Sequence, residues 1–109
     1  MADTFKNATA NLVNTTNTTI YTAPGAANVI VLSCIVSNID GVNDADVDIW
    51  FYDSSAAAAT QILKTVAVPA DTTLEAVSKK WVLEGGDYIM AGAGANSDLS
   101  SYMSVLEIT

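Results

Sequence analysis

One acidic stretch has a spacing that could hold a metal ion. From Asp40 to Asp48 the chain reads Asp-Gly-Val-Asn-Asp-Ala-Asp-Val-Asp. Calcium takes about six to eight oxygen ligands, but the stretch departs from the EF-hand loop, because glycine comes second and no glutamate stands at the twelfth position. Exposed acids also keep a sheet edge soluble, so a solvated acidic loop is the favoured interpretation and a calcium site the alternative. The sequence predicts no resident metal and no cofactor.

The chain lacks the histidine that activates serine and cysteine nucleophiles in many enzymes. It contains no histidine, so a catalytic triad cannot form, and its one cysteine, Cys34, has no imidazole partner. Cys34 lies in the apolar run Val29–Val36, which predicts a buried free thiol. Gly92-Ala-Gly94 lacks the spacing and the lysine of a phosphate-binding loop. We therefore expect no enzymatic activity.

Two aromatic residues are candidates for a contact surface. In the run Asp46–Asp53 polar and apolar residues alternate, so Val47, Ile49 and Phe51 should share one face of a strand. Trp50 and Tyr52 should project from the other face, where such residues serve protein interfaces and sugar-stacking platforms. Alternatively, the rim of the fold or a long loop covers them. Phe5, in the polar N-terminal stretch, is the third candidate contact residue.

Short β-prone runs separated by turn residues must position these side chains. Closely spaced runs of this kind, with no helical period between them, predict an all-β antiparallel sandwich or jelly-roll-like domain of about eight short strands. The nearly continuous apolar run Asn28–Ser37 is typical of a strand covered on both faces. The eight predicted strands occupy residues 18–22, 28–37, 46–53, 61–68, 72–77, 80–83, 87–91 and 101–108.

The chain divides into an N-terminal arm and a single domain. Residues 1–17 are polar and rich in Asn, Thr and Ala, which predicts an extended or flexible arm or a loosely attached first strand. Residues 18–109 form the sandwich domain. The start of the chain does not resemble a secretory signal and no apolar run approaches the length of a membrane helix, so we expect folding in a cytosol and no membrane partner.

Composition restricts the possible partners. The 109 residues include 4 basic and 12 acidic ones, giving a net charge of −8, and such a chain cannot neutralise phosphates or approach anionic nucleic acid. Only 15% of the residues are charged, against about 25% in ordinary globular domains. Either part of the surface is covered by a partner or by further copies, or neutral polar groups keep it hydrated.

Four segments in order carry a resemblance to a known class of protein. They are 20–31 (Ile-Tyr-Thr-Ala-Pro-Gly-Ala-Ala-Asn-Val-Ile-Val), 64–75 (Lys-Thr-Val-Ala-Val-Pro-Ala-Asp-Thr-Thr-Leu-Glu), 81–89 (Trp-Val-Leu-Glu-Gly-Gly-Asp-Tyr-Ile) and 104–108 (Ser-Val-Leu-Glu-Ile). This succession resembles small virion structural proteins of tailed bacteriophages, particularly of marine and cyanobacterial hosts. The resemblance extends from about Thr18 to Thr109.

The resemblance implies a β-sandwich on the outside of a phage particle. It would be made in the host cytoplasm and bind the major capsid protein as a decoration (cement) protein, commonly as a homo-oligomer and often as a trimer. A position on the tail, neck or fibre is the alternative within this class. A carbohydrate-binding module that uses Trp50 and Tyr52 is the alternative from another class. No catalytic residues are implied.

Overall fold

Nine β-strands form two antiparallel sheets in the computed structural model, which describes residues 3–12, 18–77, 80–94 and 98–109. Within these ranges there is no helix long and apolar enough to cross a membrane. The strands are β1 (Asp3–Leu12), β2 (Thr18–Thr22), β3 (Asn28–Asn38), β4 (Ala45–Asp53), β5 (Ala58–Val68), β6 (Thr73–Glu75), β7 (Trp81–Leu83), β8 (Tyr88–Ala93) and β9 (Leu99–Ile108).

The two sheets pack face to face as a β-sandwich, which confirms the predicted fold class. Sheet A has the order β1-β9-β3-β6, and β7 pairs with the other half of β3; sheet B has the order β2-β8-β4-β5. The β4–β5 connection stays within sheet B and the β6–β7 connection within sheet A, whereas the other connections pass between the sheets. Apart from those two connections, the chain therefore alternates between the two sheets, so the strands of each sheet are contributed by segments separated in sequence by strands of the other.

The core lies between the inward faces of the two sheets. Strand residues alternate between the two faces of each sheet, and one alternate set points inward. On β4, Val47 and Ile49 are fully buried and Phe51 packs against the core, as the alternation predicts. The largest fully buried side chains are Leu12, Val29, Val31, Val36, Val47, Ile49, Val68, Leu83, Ile89, Leu99, Met103 and Val105.

Strand β3 corrects one expectation from the sequence. Its run of apolar residues predicts burial on both faces, but only one set of alternate residues, including Val29 and Val31, lies in the core. Ile30 and Ile35 face outward and are half-buried, and Leu32 lies at a bulge in the pairing with β9. The prediction is wrong because a two-layer sandwich covers only the inner face of each sheet. The outward apolar side chains are left on the surface.

The polar N-terminal stretch contains a regular strand. All ten residues of β1 pair with β9, from Asp3 opposite Ile108 to Leu12 opposite Leu99, without a break in register. This is the strand in excess of the eight that the sequence predicts. The rest of the stretch interpreted as an arm, residues 1–2 and 13–17, lies outside the described residues.

Buried polar side chains fasten the loops at the two ends of the sandwich. At one end, Asp87 accepts hydrogen bonds from the N–H and hydroxyl of Ser54, both at 2.9 Å, and from the N–H of Glu84, also at 2.9 Å. At the other end, the Asn38 amide donates to the carbonyls of Asn43 and Val68 at 2.9 and 2.8 Å. Both ends are therefore held by specific polar contacts.

Candidate contact surfaces

The acidic segment from Asp40 to Asp48 does not gather its carboxylates around a common point. Asp40 accepts hydrogen bonds from the N–H groups of Val42 and Asn43 and from the Asn43 amide. These hydrogen bonds, that from the Val42 N–H foremost, lower the pKa of Asp40. Asp44 accepts from the N–H of Ala70 and Asp48 from that of Thr65. In the part of the chain that the structure describes, no three potential metal ligands form a group.

Cys34 lies in the core between the sheets. Its side chain is buried and forms no disulfide, and burial raises the pKa of its thiol to about 11. A thiol of this kind is a poor nucleophile at neutral pH, because the thiolate is the reactive form. Cys34 therefore packs in the core as a small apolar side chain, as its apolar sequence neighbours predict.

A row of apolar side chains crosses the outer face of sheet A. Phe5 on β1 lies opposite Leu106 on β9, Leu106 lies opposite Ile30 on β3, and Ile30 lies opposite Val82 on β7. Directly opposite residues of antiparallel strands bring their side chains into contact range. Phe5 is 75% exposed and Val82 is 63% exposed, so both ends of this apolar row are open to solvent.

The outer face of sheet A carries few charges, and the loops at the ends of the sandwich carry many. Among the strand residues on the outer face of sheet A, only Asp3 and Glu75 are charged. A hollow of about 210 Å³ lies beside Phe5 on this face, with Leu32 and Tyr102 among its walls. At one end of the sandwich, the acidic residues of the loops are Asp40, Asp44, Asp71 and Asp98. At the other end they are Glu84 and Asp87, which lie near Asp53, the last residue of β4.

Trp50 and Tyr52 lie on the outer face of sheet B. Trp50 is paired with Gln61 and Met90, and Tyr52 with Ala59 and Tyr88. Tyr52 and Tyr88 stack, with ring centroids 4.5 Å apart and ring planes at 20°. Each tyrosine therefore covers one face of the other, and both aromatic residues singled out by the sequence are half-buried rather than fully exposed.

An apolar cleft opens between the two sheets along their β5 and β7 edges. Its volume is about 350 Å³, which is at the small end of ligand-binding clefts. Trp81 turns inward from β7 and packs against the core, which forms one wall of the opening. The lining consists of Phe51, Thr60, Ile62, Trp81, Val82 and Ile89, none of which can carry a charge.

The three predicted contact residues do not form one surface. Phe5 belongs to the outer face of sheet A, and Trp50 and Tyr52 to the outer face of sheet B, on opposite sides of the sandwich. Sequence reasoning missed the partners of Phe5 in the apolar row and the partner of Tyr52, which is Tyr88. A signal for the row was present, because β3 and β9 carry apolar residues at both alternate sets of positions.

A polar contact bridges the two sheets near β1. The Tyr21 hydroxyl on β2 donates to Oε2 of Glu107 on β9 at 2.5 Å, and Nζ of Lys6 on β1 lies 3.1 Å from Oε1 of Glu107. The hydrogen bond from Tyr21 lowers the pKa of Glu107, and Lys6 adds to the effect although burial opposes it. Burial, the hydrogen bond to Glu107 and its negative charge raise the pKa of Tyr21.

The fold and these surfaces define an antiparallel β-sandwich in which the outer face of sheet A carries few charges. No protein-family model matches the chain, and no curated protein matches it. Among solved structures it resembles a chain of the acidic stable capsid of Helicobacter pylori bacteriophage KHP30, with a TM-score of 0.58 and 10% identity, over 100% of this chain and 89% of that one. It also resembles a chain of Bacillus endospore appendages, a family of disulfide-linked pili, with a TM-score of 0.58 and 14% identity, over 99% and 87%. At these identities the similarity concerns the fold.

Proposed function

We propose that this chain is a structural protein of a tailed-bacteriophage virion. Its simplest role is that of a decoration (cement) protein, which binds the major capsid protein on the outer capsid surface and stabilises the shell. The observation that carries the proposal is the similarity of fold to a phage capsid chain over the full length of this chain. A second similarity over nearly the whole chain is to a chain of Bacillus endospore appendages, so both of these structures belong to assemblies.

The strand order supports the same proposal. If β6 and β7 count as two halves of one interrupted strand, β8 and β9 become the seventh and eighth strands, and the sheets read 1-8-3-6 and 2-7-4-5. We interpret this order as a jelly roll, an architecture found in viral capsid domains. The interruption falls between β6, which pairs with one half of β3, and β7, which pairs with the other.

The distribution of charge and apolar surface suits a subunit present in many copies. Because the loop acids lie at the ends of the sandwich, molecules can approach side by side without bringing most of their charges together. The apolar row on sheet A is the surface that we expect to meet the coat. Fully burying a Val, Leu, Ile or Phe side chain is worth about 1.5–3 kcal/mol, so burying the exposed ends of this row would offset part of the cost of association.

Binding the shell would stabilise both partners by mass action, because only folded molecules bind. The protein would need no catalytic group and no cofactor, and it would act by binding alone. We expect copies to contact one another as a homo-oligomer, for which the resemblance implies a trimer. A protein made in the host cytoplasm and bound to the finished shell would occupy the exterior of the virion.

The test measures binding to capsids that lack the protein. We expect Val82→Ser, in the apolar row, to weaken binding and to lower the melting temperature of decorated capsids toward that of bare ones. Val42→Ser is the matched control, because Val42 is 83% exposed but lies in the acidic loop at one end. Equal binding of the two variants would remove the apolar row from the proposal, and absence of the protein from purified virions would remove the function itself.

Copy number separates the two positions on a virion. Hundreds of copies per particle, comparable with the coat protein, would support decoration of the capsid. A few copies in multiples of three, six or twelve would instead assign the protein to the tail, neck or fibre.

A carbohydrate-binding module is the second candidate function. The observation that favours it is the group formed by Trp50, Tyr52 and Tyr88 on the outer face of sheet B. A glycan array with the wild type and Trp50→Ala tests it, because loss of a specific sugar signal in the variant would support sugar stacking. No signal with the wild type would exclude this candidate.

A further inference from the structure

We propose that two copies of this protein associate through β1, pairing antiparallel across a two-fold axis so that the two copies of sheet A become one continuous sheet. This inference specifies how the homo-oligomer of the proposed function forms, and it rests on that proposed function. The edges of the two sheets carry it, because β1 differs from every other edge strand that the structure describes.

The other edges are short or irregular, which are the features that keep sheet edges from pairing with other chains. In sheet B, the edge strand β2 has five residues and a register shift between Thr19 and Tyr21. The other edge strand, β5, pairs irregularly with β4 and contains Thr65 at a φ of 52°. In sheet A, the edge opposite β1 is formed by β6 and β7, which have three residues each.

Strand β1 has none of these features. It runs for ten residues in unbroken register with β9 and contains no proline. Lys6 is the one charged residue in the middle of this edge, and its Nζ lies 3.1 Å from Oε1 of Glu107 on β9, which offsets its charge. The outward N–H and C=O groups of β1 therefore form a long, regular row that another strand can extend.

We take a second copy as the partner because two β1 strands can pair with each other without a net charge on either strand. With Asp3 and Lys6 as its only charged residues, β1 carries no net charge in a chain of net charge −8, so two such strands can pair without strong repulsion. Opposite residues of an antiparallel pair face the same side of the sheet, so the largest overlap of β1 with its counterpart is residues 3–11, with the two-fold axis at Asn7, or residues 4–12, with the axis at Ala8. In an antiparallel pair related by a two-fold axis, the residue on the axis faces itself.

This pairing also gives Phe5 a neighbour that the isolated chain lacks. With the axis at Asn7, Phe5 lies opposite Thr9 of the second copy, and Thr9 is itself paired with Tyr102. The apolar row of one copy would then continue into Thr9, Tyr102 and Ile35 of the other, since Tyr102 lies opposite Ile35. The contact leaves the β5 edge and the β6–β7 edge free, so it is compatible with a trimer formed through another surface.

Disulfide trapping in the purified full-length protein tests the pairing. Asn7→Cys and Thr9→Cys place thiols on the outer face of sheet A, one of them at or next to the axis, and buried Cys34 does not compete. An axis at Asn7 predicts a covalent dimer of Asn7→Cys alone, whereas an axis at Ala8 predicts a disulfide between Asn7→Cys and Thr9→Cys when the two are mixed. Ala26→Cys, in the exposed turn before β3, is the control.

Either cross-link in large excess over the Ala26→Cys control supports the proposal. Cross-linking no greater than that control, together with a monomer in analytical ultracentrifugation, would overturn it. Absence of the cross-link would leave binding of single copies to the capsid intact, so failure of this inference and failure of the proposed function are distinguishable.

A charge exchange at Asn7 tests the same contact without a covalent bond. Asn7→Asp and Asn7→Lys should each dimerise about fivefold more weakly than the wild type, because like charges then lie close together across the axis. An equimolar mixture of the two should restore dimerisation, since unlike charges then meet. Restoration is the result that general misfolding cannot produce, and its absence with both variants folded would contradict pairing through β1.

Discussion

The hydroxyl of Tyr21 on sheet B donates a 2.5 Å hydrogen bond to the carboxylate of Glu107 on sheet A. Glu107 is only 5% exposed, and its second oxygen faces Lys6 at 3.1 Å. A buried carboxylate is stable only when its charge is compensated by such partners. This bridge therefore ties β2, β9 and β1 together on the side of the sandwich where β1 has its free edge.

Removing the Tyr21 hydroxyl should destabilise the fold. We expect Tyr21→Phe to lower the free energy of unfolding by about 1–2 kcal/mol, because Glu107 then keeps only Lys6 as its partner. Urea unfolding measures the change. Tyr102→Phe, on the exposed outer face of sheet A, is the matched control and should be close to neutral. Equal stability of the two variants would show that the bridge contributes nothing.

Asp87 should make the protein sensitive to acid. Burial alone would raise the pKa of Asp87, but the hydrogen bonds from Ser54 and Glu84 outweigh burial and lower it. A lowered pKa in the folded state means that the stabilisation is fully present above the unfolded pKa, near 4, and is lost as the pH falls through the folded pKa. Glu107, whose pKa is also lowered, adds in the same direction.

The variant Asp87→Asn tests this pH dependence. At pH 7 it should unfold about 2 kcal/mol more easily than the wild type, because an amide cannot accept all three hydrogen bonds. The difference should shrink as the pH falls below about 4, where Asp87 of the unfolded wild type becomes protonated, and vanish once the pH is below the lowered folded pKa. Unfolding measured across this range checks it, with Glu75→Gln on exposed β6 as control. A difference that stays constant with pH would contradict the assignment.

Gly85 should tolerate no side chain. A Cβ at Gly85 would lie 2.3 Å from the carbonyl oxygen of Gly25, and because that oxygen belongs to the backbone and a Cβ has no rotatable bond, the clash can be relieved only by moving a loop. We expect Gly85→Ala to cost about 1–3 kcal/mol of stability, the range typical of forced backbone shifts. Gly25→Ala is the matched control, because nothing lies within 4 Å of its added Cβ. Similar melting temperatures for the two variants would contradict this close approach.

Thr65 should be replaceable with a gain in stability. Its φ of 52° places a β-branched residue in the left-handed region, which costs L-residues about 1–2 kcal/mol and which asparagine tolerates better. We therefore expect Thr65→Asn to raise the free energy of unfolding by about 1 kcal/mol. Thr60→Asn, in the same strand, should instead be neutral or destabilising, because asparagine is a poor strand former. A loss of stability in Thr65→Asn would show that the threonine is not strained.

The sequence predicted strands best where one face is apolar and the other polar. The alternation in β4 correctly placed Val47 and Ile49 in the core and turned Trp50 and Tyr52 outward. Strand β1 carries no such pattern, because its inward residues include Thr4, Lys6 and small alanines. Its strand structure depends on the hydrogen bonds of β9, which are long-range interactions that no local pattern reveals.

The apolar row could not be read from the sequence, because it depends on register. Phe5, Leu106, Ile30 and Val82 are far apart in the chain and meet only through the pairing of four strands. The sequence did show that β3 has apolar residues on both faces. Without the number of layers, that pattern indicated burial on both faces, whereas in two layers it leaves one set of apolar side chains on the outer face.

The position of β9 has a consequence for the order of events in the cell. β9 follows all other strands in the chain, yet it lies between β1 and β3 in sheet A. Until β9 has emerged from the ribosome, β1 has no neighbour that could hold it in a sheet. If copies pair through β1 as proposed, a nascent chain without β9 would lack the formed edge that this pairing needs, and synthesis would be separated in time from assembly.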